Sequence, residues 1–344
     1  MNNQERGLGD IIMPRRVFCK AVVIATGELL YAGSIESSGQ SALALMEKSN
    51  LGSRDLLDNV TSPKVLVTSS MKNGKTFIID PAGDSLGEEE CRESTDPAFD
   101  VLVSKVSSDL YVSISSTNGY LNKTAQLGAT SDQTWKNLKE NLPEVLRSQS
   151  EVIYITSFGA NDVLGLFMGD DSIKPKIQGD YTEEKIRIDA MLANFSKNAR
   201  KIYHYLLKDT NGQYATLPPQ AIALLMPNIT QLLSVQQTIE QSLPELSSVF
   251  RLSPNSQMVI EQMVNGATQD FLEVVDYAVL GINRIIVELS QEYNKENIHL
   301  AFLNLYNQKI EKDEVCTDGI HPNKKGYNNI EEQLARLFLY KNDL

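Results

Sequence analysis

The sequence predicts an α/β protein whose mostly parallel sheet is covered by helices on both faces. From residue 75 onward, short apolar runs alternate with segments of helical periodicity, which is typical of parallel sheets. Polar motifs follow three of the predicted strands, at the carboxyl ends where such sheets form binding sites. The predicted strands are residues 75–80, 110–115, 152–157, 220–226 and 298–303.

Four amphipathic segments supply the covering helices: residues 133–148, 183–208, 256–293 (with a break expected inside it) and 324–340. The segment 183–208 shows the helical spacing most clearly. Its apolar side chains recur near one face: Ile186, Met191, Phe195, Ala199, Ile202 and Leu206.

Residues 1–70 are predicted to be a small β-rich lead-in of unknown role, ahead of a main domain at 75–344. Strands are expected at 17–25, 29–34 and 64–69, with a short helix at 40–48. Asn73-Gly74 predicts a tight hairpin that pairs 64–69 antiparallel with 75–80. A parallel sheet disagrees with that pairing, so either the sheet is mixed or the hairpin is wrong.

Composition disfavours two classes of partner. The 344 residues carry a formal net charge of −12, which disfavours nucleic acid and anionic membrane surfaces. The three cysteines, Cys19, Cys91 and Cys316, show neither a disulfide framework nor a metal spacing, and no cofactor or metal is expected. The oligomeric state is not readable from the sequence.

The N-terminal residues lack the layout of a cleavable signal peptide, and no apolar run is long enough to span a bilayer. The protein is therefore expected in the cytoplasm, or exported by a route that needs no signal peptide. Transient contact with a membrane stays open.

The run "KTFIIDPAGDSLGEEE" raises the question of Ser85, which follows a predicted strand in a Gly-Asp-Ser-Leu-Gly turn. A serine there is either a nucleophile at the end of a strand or a helix cap. Glu88–Glu90 fit the cap, because acidic residues suit the first turn of a helix.

Two further loops offer hydrogen-bond donors for an oxyanion. Asn161, in "SFGANDVLG", carries a side-chain amide, and Gly128, in "TAQLGATSDQTW", lets a backbone N–H approach a ligand closely. The N–H of Ser85 is the third candidate. The alternatives are an ordinary Asn-Asp turn and an ordinary loop glycine.

The C-terminal run "CTDGIHPNKKGY" sets Asp318 three residues before His321. An aspartate so placed can hold one ring nitrogen while the other acts as general base, although an Asp helix cap is the alternative. Of the two other histidines, His204 is expected on a helix surface and His299 in a structural role at the start of a strand.

Taken together, Gly83-Asp84-Ser85-Leu86, Gly128, Gly159-Ala160-Asn161-Asp162 and Asp318-Gly319-Ile320-His321 resemble the SGNH hydrolase superfamily, the GDSL lipases and esterases. The resemblance covers about residues 75–344 and implies a three-layer α/β/α sandwich. It implies Ser85 as nucleophile, His321 as base oriented by Asp318, and an oxyanion hole of Ser85, Gly128 and Asn161.

Two departures accompany the resemblance: Asp80-Pro81-Ala82 separate the expected strand from the serine turn, and about seventy residues precede it. "GDSLG" also fits the G-x-S-x-G nucleophile elbow of α/β-hydrolases. There the acid and base come from separate loops, whereas Asp318 and His321 share one, which favours the SGNH family.

The expected activity is serine ester hydrolysis through an acyl-enzyme. The long interval from Asn161 to Asp318 resembles that of the larger lipase-like members, so a lipid or phospholipid acyl ester is the expected substrate. Pro227-Asn228 is the expected wall of an acyl pocket. Transfer of the acyl group to an alcohol stays open. The alternatives are a carbohydrate O-deacetylase and a non-catalytic binding module on the same fold.

Overall fold

The structure is a computed structural model of the 344-residue chain. It describes residues 42–67, 77–83, 102, 112–114, 128–142, 152–167, 172–174, 176, 180–208, 220–228, 269–309, 311–314 and 322–340. All statements about the fold refer to these residues, which belong to the compact unit 41–344.

Five of the seven strands in the described residues form the central sheet. They are β2 (Phe77–Gly83), β3 (Val112–Ile114), β4 (Val152–Ser157), β5 (Gln220–Leu224) and β6 (Leu300–Leu303). Their order is β3-β2-β4-β5-β6, and all four neighbouring pairs are parallel. The predicted parallel sheet is therefore confirmed, with each predicted strand present within a few residues of its expected bounds.

The strand β2 runs further than the sequence suggested. Asp80, Pro81 and Ala82 lie inside it and pair with β4 up to Gly83, so they do not separate the strand from the serine turn. Proline has no N–H to donate to a sheet. Here β3 pairs only with Phe77–Ile79, so Pro81 lies beyond the part of β2 that is paired on that side.

A second, two-stranded sheet corrects the hairpin prediction. Strand β1 (Val65–Val67) pairs in parallel with β7 (Phe338–Tyr340), while β2 lies in the central sheet. The local Asn73-Gly74 signal, which lies outside the described residues, was outweighed by a partner 273 positions away, since Val65 is paired with Phe338. β7 also shows that the predicted helix 324–340 is too long.

Six α-helices and one short 3-10 helix complete the described elements. They are α1 (Ala42–Asn59), α2 (Ser131–Asn141), α3 (Ala160–Phe167), α4 (Thr182–Leu207), α5 (Gln269–Lys295), the 3-10 helix Lys312–Glu314 and α6 (Lys324–Ala335). The four predicted main-domain helices are present with different ends. α3 was not predicted, and none of the described helices has the length and hydropathy needed to cross a bilayer.

The sheet separates two hydrophobic cores, which gives the three layers of an α/β/α sandwich. Alternate residues of one strand enter different cores: Tyr154 packs with helices α1 to α5, whereas Ile153 and Ile155 pack with α6. Leu102, in the β2–β3 crossover, lies in the second core, and its N–H donates to the buried Glu331 of α6 over 2.8 Å. The crossover and α6 are thereby joined on one face.

The helix α1 lies within the segment 1–70 that was expected to be β-rich. Its Met46 and Leu57 are buried in the same core as the helices of the main domain. The short helix expected at 40–48 is therefore present, but it is 18 residues long. The domain boundary near residue 70 stays a prediction, and the strands expected at 17–34 lie outside the described residues.

Two helices continue past the carboxyl edge of the sheet. The 26 residues of α4 span about 39 Å, roughly twice the length of β4. Gly159, just after β4, is surrounded by Phe195 of α4 and Ile282 of α5, so the segments 182–194 and 269–281 project beyond that edge. We call these two segments, together with α3, the helical extension; Phe167 of α3 packs edge-on against Phe271 of α5 inside it.

Candidate active site

The carboxyl ends of β2 and β4 lie side by side at the centre of the sheet. Gly83, the last residue of β2, is paired with Ser157, the last residue of β4. The chain runs from β2 to β3 on one side and then returns to β4 on the other, so the strand order reverses between them. In open α/β sheets such a reversal leaves a crevice that binds ligands. Ser85, two residues beyond Gly83, lies outside the described residues.

Gly159 turns the chain from β4 into α3. Its φ is +116°, which side chains other than glycine rarely adopt. A Cβ atom there would lie 2.9 Å from Cε2 of Phe195 and 3.1 Å from Cγ2 of Ile282. Both the backbone and the packing therefore require glycine, and the turn puts Asn161 in the first turn of α3.

Asn161 reaches the loop that carries Gly128. Its Nδ2 donates to the carbonyl oxygen of Ala129 over 3.1 Å. Gly128 is exposed, has a φ of +74°, and lies two residues before Thr130, the N-cap of α2. A side-chain amide carries two N–H groups, and this bond uses one of them. The structure thus brings together two of the residues predicted for an oxyanion hole.

A capping box fixes the end of the Gly128 loop. Thr130 is the N-cap of α2: its Oγ1 accepts from the N–H of Gln133 over 3.4 Å, and Oε1 of Gln133 accepts from the N–H of Thr130 over 2.9 Å. Each side chain satisfies a backbone donor at the start of the helix. The register of the loop against α2 is thereby set.

Asp162 provides a second link to this loop that the sequence analysis missed. Its two carboxylate oxygens accept from the N–H and the Oγ–H of Ser131, both over 2.7 Å. Ser131 Oγ also accepts from Nδ2 of Asn198, over 3.3 Å. Burial raises the pKa of Asp162, against the lowering effect of the two bonds from Ser131. The sequence feature that could have indicated this link is the aspartate directly after Asn161.

The C-terminal motif lies partly outside the described residues, which omit Asp318 and His321. The two ends of their segment are described and are held together, since the N–H of Asn323 donates to the carbonyl oxygen of Glu314 over 2.8 Å. Asn323 also caps α6 by accepting from the N–H groups of Lys325 and Gly326. A Cβ at Gly326 would lie 2.4 Å from that Glu314 oxygen, so the two ends approach closely only with glycine.

The other two histidines are where the sequence analysis expected them. His204 is exposed on α4. His299 directly precedes β6; it is half-buried, burial lowers its pKa, and its carbonyl oxygen accepts from the N–H of Ala221 over 3.0 Å.

The segment after β5 is fastened to α5. Asn283, which is fully buried, accepts from the N–H of Met226 over 2.8 Å and donates to its carbonyl oxygen over 3.0 Å. Pro227 and Asn228 follow and are half-buried. Their predicted role as a wall of an acyl pocket stays a prediction. In the described parts of the chain, no group of three or more His, Cys, Asp or Glu side chains could hold a metal ion.

Comparison with known proteins places the chain in a family. The model of the GDSL-like Lipase/Acylhydrolase family matches residues 81–334. No curated protein matches the sequence.

Three solved structures are similar to the chain at low sequence identity. The lipase Lip_vut3 from a goat rumen metagenome is 15% identical, with a TM-score of 0.45, over 76% of this chain and 97% of that one. A lipase/acylhydrolase from Enterococcus faecalis is 15% identical, with a TM-score of 0.38, over 76% and 94%. An extracellular lipase from Streptomyces rimosus is 11% identical, with a TM-score of 0.42, over 77% and 100%.

The family match spans most of the chain and includes the carboxyl ends of β2 and β4, the Gly128 loop, α3 and the start of α6. The chain therefore belongs to the GDSL-like lipase/acylhydrolase family, a family of ester hydrolases.

Proposed function

We propose that this protein is a serine hydrolase that cleaves the acyl ester of a lipid or phospholipid through an acyl-enzyme. Ser85 is the nucleophile, His321 the general base, and Asp318 the group that orients the imidazole. The N–H groups of Ser85 and Gly128 and the amide of Asn161 stabilise the oxyanion.

One observation carries the proposal: the hydrogen bond from Asn161 Nδ2 to Ala129, next to Gly128. It joins two segments that were predicted separately, from their own residues, to donate hydrogen bonds to the oxyanion. Both segments lie near the carboxyl ends of β2 and β4, and the chain reaches Ser85 two residues after β2 ends. An acyl-transfer enzyme needs its donors fixed before the reaction, and the two bonds from Ser131 to Asp162 fix this loop further.

The proposed reaction has two halves. In the first, Oγ of Ser85 attacks the ester carbonyl carbon while His321 takes the hydroxyl proton, and the carbonyl oxygen becomes an oxyanion. When the tetrahedral intermediate collapses, the C–O bond to the alcohol breaks and His321 returns the proton to the leaving alcohol.

In the second half, water attacks the acyl-enzyme, with His321 again taking the proton. Collapse then breaks the bond to Ser85 Oγ, and His321 protonates that oxygen as the carboxylic acid leaves. An alcohol in place of water would give acyl transfer by the same steps.

A lipid acyl chain is proposed because the interval between Asn161 and Asp318 is long and part of it builds the helical extension. The described faces of α3, α4 and α5 bury large apolar side chains beyond the carboxyl edge of the sheet, among them Phe167, Ile188 and Phe271. This long, apolar helical interval is what supports an acyl chain longer than acetyl.

The test is a panel of esters that differ only in acyl length, from acetyl to dodecanoyl, together with phospholipids, assayed with the full chain. We expect hydrolysis and fluorophosphonate labelling by wild type, and neither by Ser85→Ala. The matched control is Ser196→Ala, which changes a half-exposed serine on α4 and should behave as wild type.

Three outcomes would overturn the proposal in part or in whole. Full labelling of Ser85→Ala would remove Ser85 as nucleophile. Hydrolysis of acetyl esters alone would replace the lipid substrate with a small acetylated one, as in a carbohydrate O-deacetylase. Absence of both hydrolysis and labelling in wild type would favour a binding module.

A further inference from the structure

Most of the glycines whose surroundings are described have a structural reason to be glycine. Gly128 and Gly159 have a positive φ. At Gly281 an added Cβ would lie 2.5 Å from Cδ1 of Leu192, and at Gly326 it would meet the backbone of Glu314. Two helical glycines, Gly52 and Gly165, have neither reason. Among the described residues, no atom outside the glycine's chain neighbours and its own helical backbone lies within 4 Å of an added Cβ, and neither φ is positive.

Glycine is unfavourable inside a helix, because it loses more backbone freedom on folding than alanine. A helical glycine that neither the backbone nor the packing requires leaves open space beside its backbone, and a ligand can occupy that space where a binding site adjoins it. Gly165 is an exposed residue of α3, in the last turn before Phe167.

The position of Gly165 relative to Asn161 suggests what that occupant is. Residues four apart lie on the same face of a helix. Gly165 therefore lies one turn beyond Asn161, whose amide is fastened to the Gly128 loop. Leu164, half-buried, flanks the same face three residues after Asn161. The helix presents an amide, then a leucine and an open glycine, in that order along its axis.

We propose that the acyl chain of the ester lies along this face of α3, and that Gly165 sets how long a chain the site accepts. The inference rests on the proposed function, since the carbonyl oxygen must first lie at Asn161. The acyl chain is the part assigned to this face, rather than the alcohol, because Leu164, the half-buried side chain that flanks Gly165, is apolar. Hydrocarbon gains free energy from contact with such a surface.

The decisive variant is Gly165→Leu, whose Cβ would meet no described atom of the surrounding fold within 4 Å. We expect kcat/KM for dodecanoyl esters to fall at least about 10-fold, and kcat/KM for acetyl esters to stay within about 2-fold of wild type. Gly165→Ala should give a smaller effect in the same direction. The matched control is Gly52→Leu on α1, an exposed helical glycine with equal room, which should leave the chain-length profile unchanged.

Stability measurements separate a blocked site from a damaged fold. Gly165→Ala, and Gly52→Ala as its counterpart on α1, should keep or slightly raise the melting temperature, by about 1–2 °C, because alanine favours helix. A second ester series, with a fixed acetyl group and alcohols of increasing length, tests whether this face of α3 binds the acyl chain or the alcohol. If Gly165→Leu lowers kcat/KM for the long alcohols and not for the long acyl chains, the acyl assignment is wrong.

The result can fail independently of the proposed function. If wild type hydrolyses long acyl esters through Ser85 while Gly165→Leu keeps the wild-type profile, this inference is wrong and the esterase stands. If wild type hydrolyses no ester, both fall together.

Discussion

Asn161 is the residue at which described geometry and proposed chemistry meet, and Asn161→Ala tests it. A ground-state carbonyl oxygen is nearly neutral, whereas the tetrahedral intermediate carries a full negative charge, so a donor aimed there acts mainly in the transition state. We expect kcat to fall about 100- to 1,000-fold with little change in KM. The proposed N–H donors of Gly128 and Ser85 would remain, so activity should not vanish.

The control for this prediction is Asn194→Ala, an exposed asparagine on α4. Asn161 also holds Ala129, so its loss should lower the free energy of unfolding by about 1 kcal/mol. Unchanged kcat, or a collapse of the melting temperature large enough to explain the loss, would return Asn161 to a turn-forming role.

Asp162 acts on the same loop through Ser131, so we class it as a positioning residue. In Asp162→Ala the N–H and Oγ–H of Ser131 lose their acceptor, and we expect the free energy of unfolding to fall by about 2–3 kcal/mol. Asp132→Ala is the control, because its carboxylate is exposed and pairs with Lys136 one turn away. Asp132→Ala should cost about 0.5 kcal/mol or less.

Activity tells whether Asp162 does more than stabilise the fold. At a temperature where both variants remain folded, a displaced Gly128 loop should lower kcat in Asp162→Ala while KM changes little. If Asp162→Ala is less stable but keeps the wild-type kcat, Asp162 has only a structural role.

At the scale of elements, the sequence identified the five strands of the main sheet because their apolar runs are bounded by polar turns. It missed α3, since eight residues are too few to show helical periodicity and "GAND" reads correctly as a turn at Gly159. It erred at β1, where a strong local turn signal competed with a distant partner. Pairing across the whole chain is invisible to local patterns.

The candidate site shows the same division. Gly128 and Asn161 could be paired in advance because their motifs occur in a recognisable order. The bonds from Ser131 to Asp162 could not, since they join the first turns of two helices, 31 positions apart, and depend on the exact approach of α2 to α3. Local spacing carries no information about that approach.

The junction of β4 with α3 should be the least tolerant short segment of the site. Gly159→Ala would force an L-residue to a φ of +116° and press its Cβ against Phe195 at 2.9 Å. Strain and overpacking together should lower the free energy of unfolding by about 2–4 kcal/mol. Gly165→Ala, six residues along the same segment, is the matched control and should be neutral or stabilising. Equal effects of the two variants in urea titrations would contradict the geometry.

At the scale of the whole molecule, α1 is tied to the main domain by polar contacts as well as by its buried apolar face. Nδ2 of Asn50 donates to Oε2 of Glu273 over 3.0 Å, and Arg54 forms an ion pair with Asp276, 222 positions away. The side chain of Asp276 is only 7% exposed. Residues 42–59 therefore contribute to the stability of the unit that carries the site, which an isolated lead-in would not do.

Arg54→Met tests this link, because methionine keeps an apolar stem and removes the charge. The buried carboxylate of Asp276 then loses its partner, and we expect a loss of about 2 kcal/mol near pH 8, below the value for a fully buried pair because Arg54 is 34% exposed. The control, Arg200→Met, breaks an exposed pair with Glu292 and should cost at most about 1 kcal/mol.

The pH dependence gives the sharper readout. Burial raises the pKa of Asp276 above its ordinary 3.8 even with Arg54 beside it, while Arg54 opposes that rise, so Arg54→Met should raise the pKa further. Tyr306, whose pKa burial raises to about 12, stays protonated throughout, and Glu273 is the other carboxylate near Arg54.

A carboxyl group with a raised pKa in the folded state binds a proton that the unfolded chain does not, so stability rises as pH falls through that pKa. The deficit of Arg54→Met relative to wild type should therefore be full near pH 8 and narrower near pH 5, measured as free energies of unfolding in urea. A deficit of the same size at both pH values would show that Arg54 stabilises α1 by packing alone, and not by compensating the buried charge of Asp276.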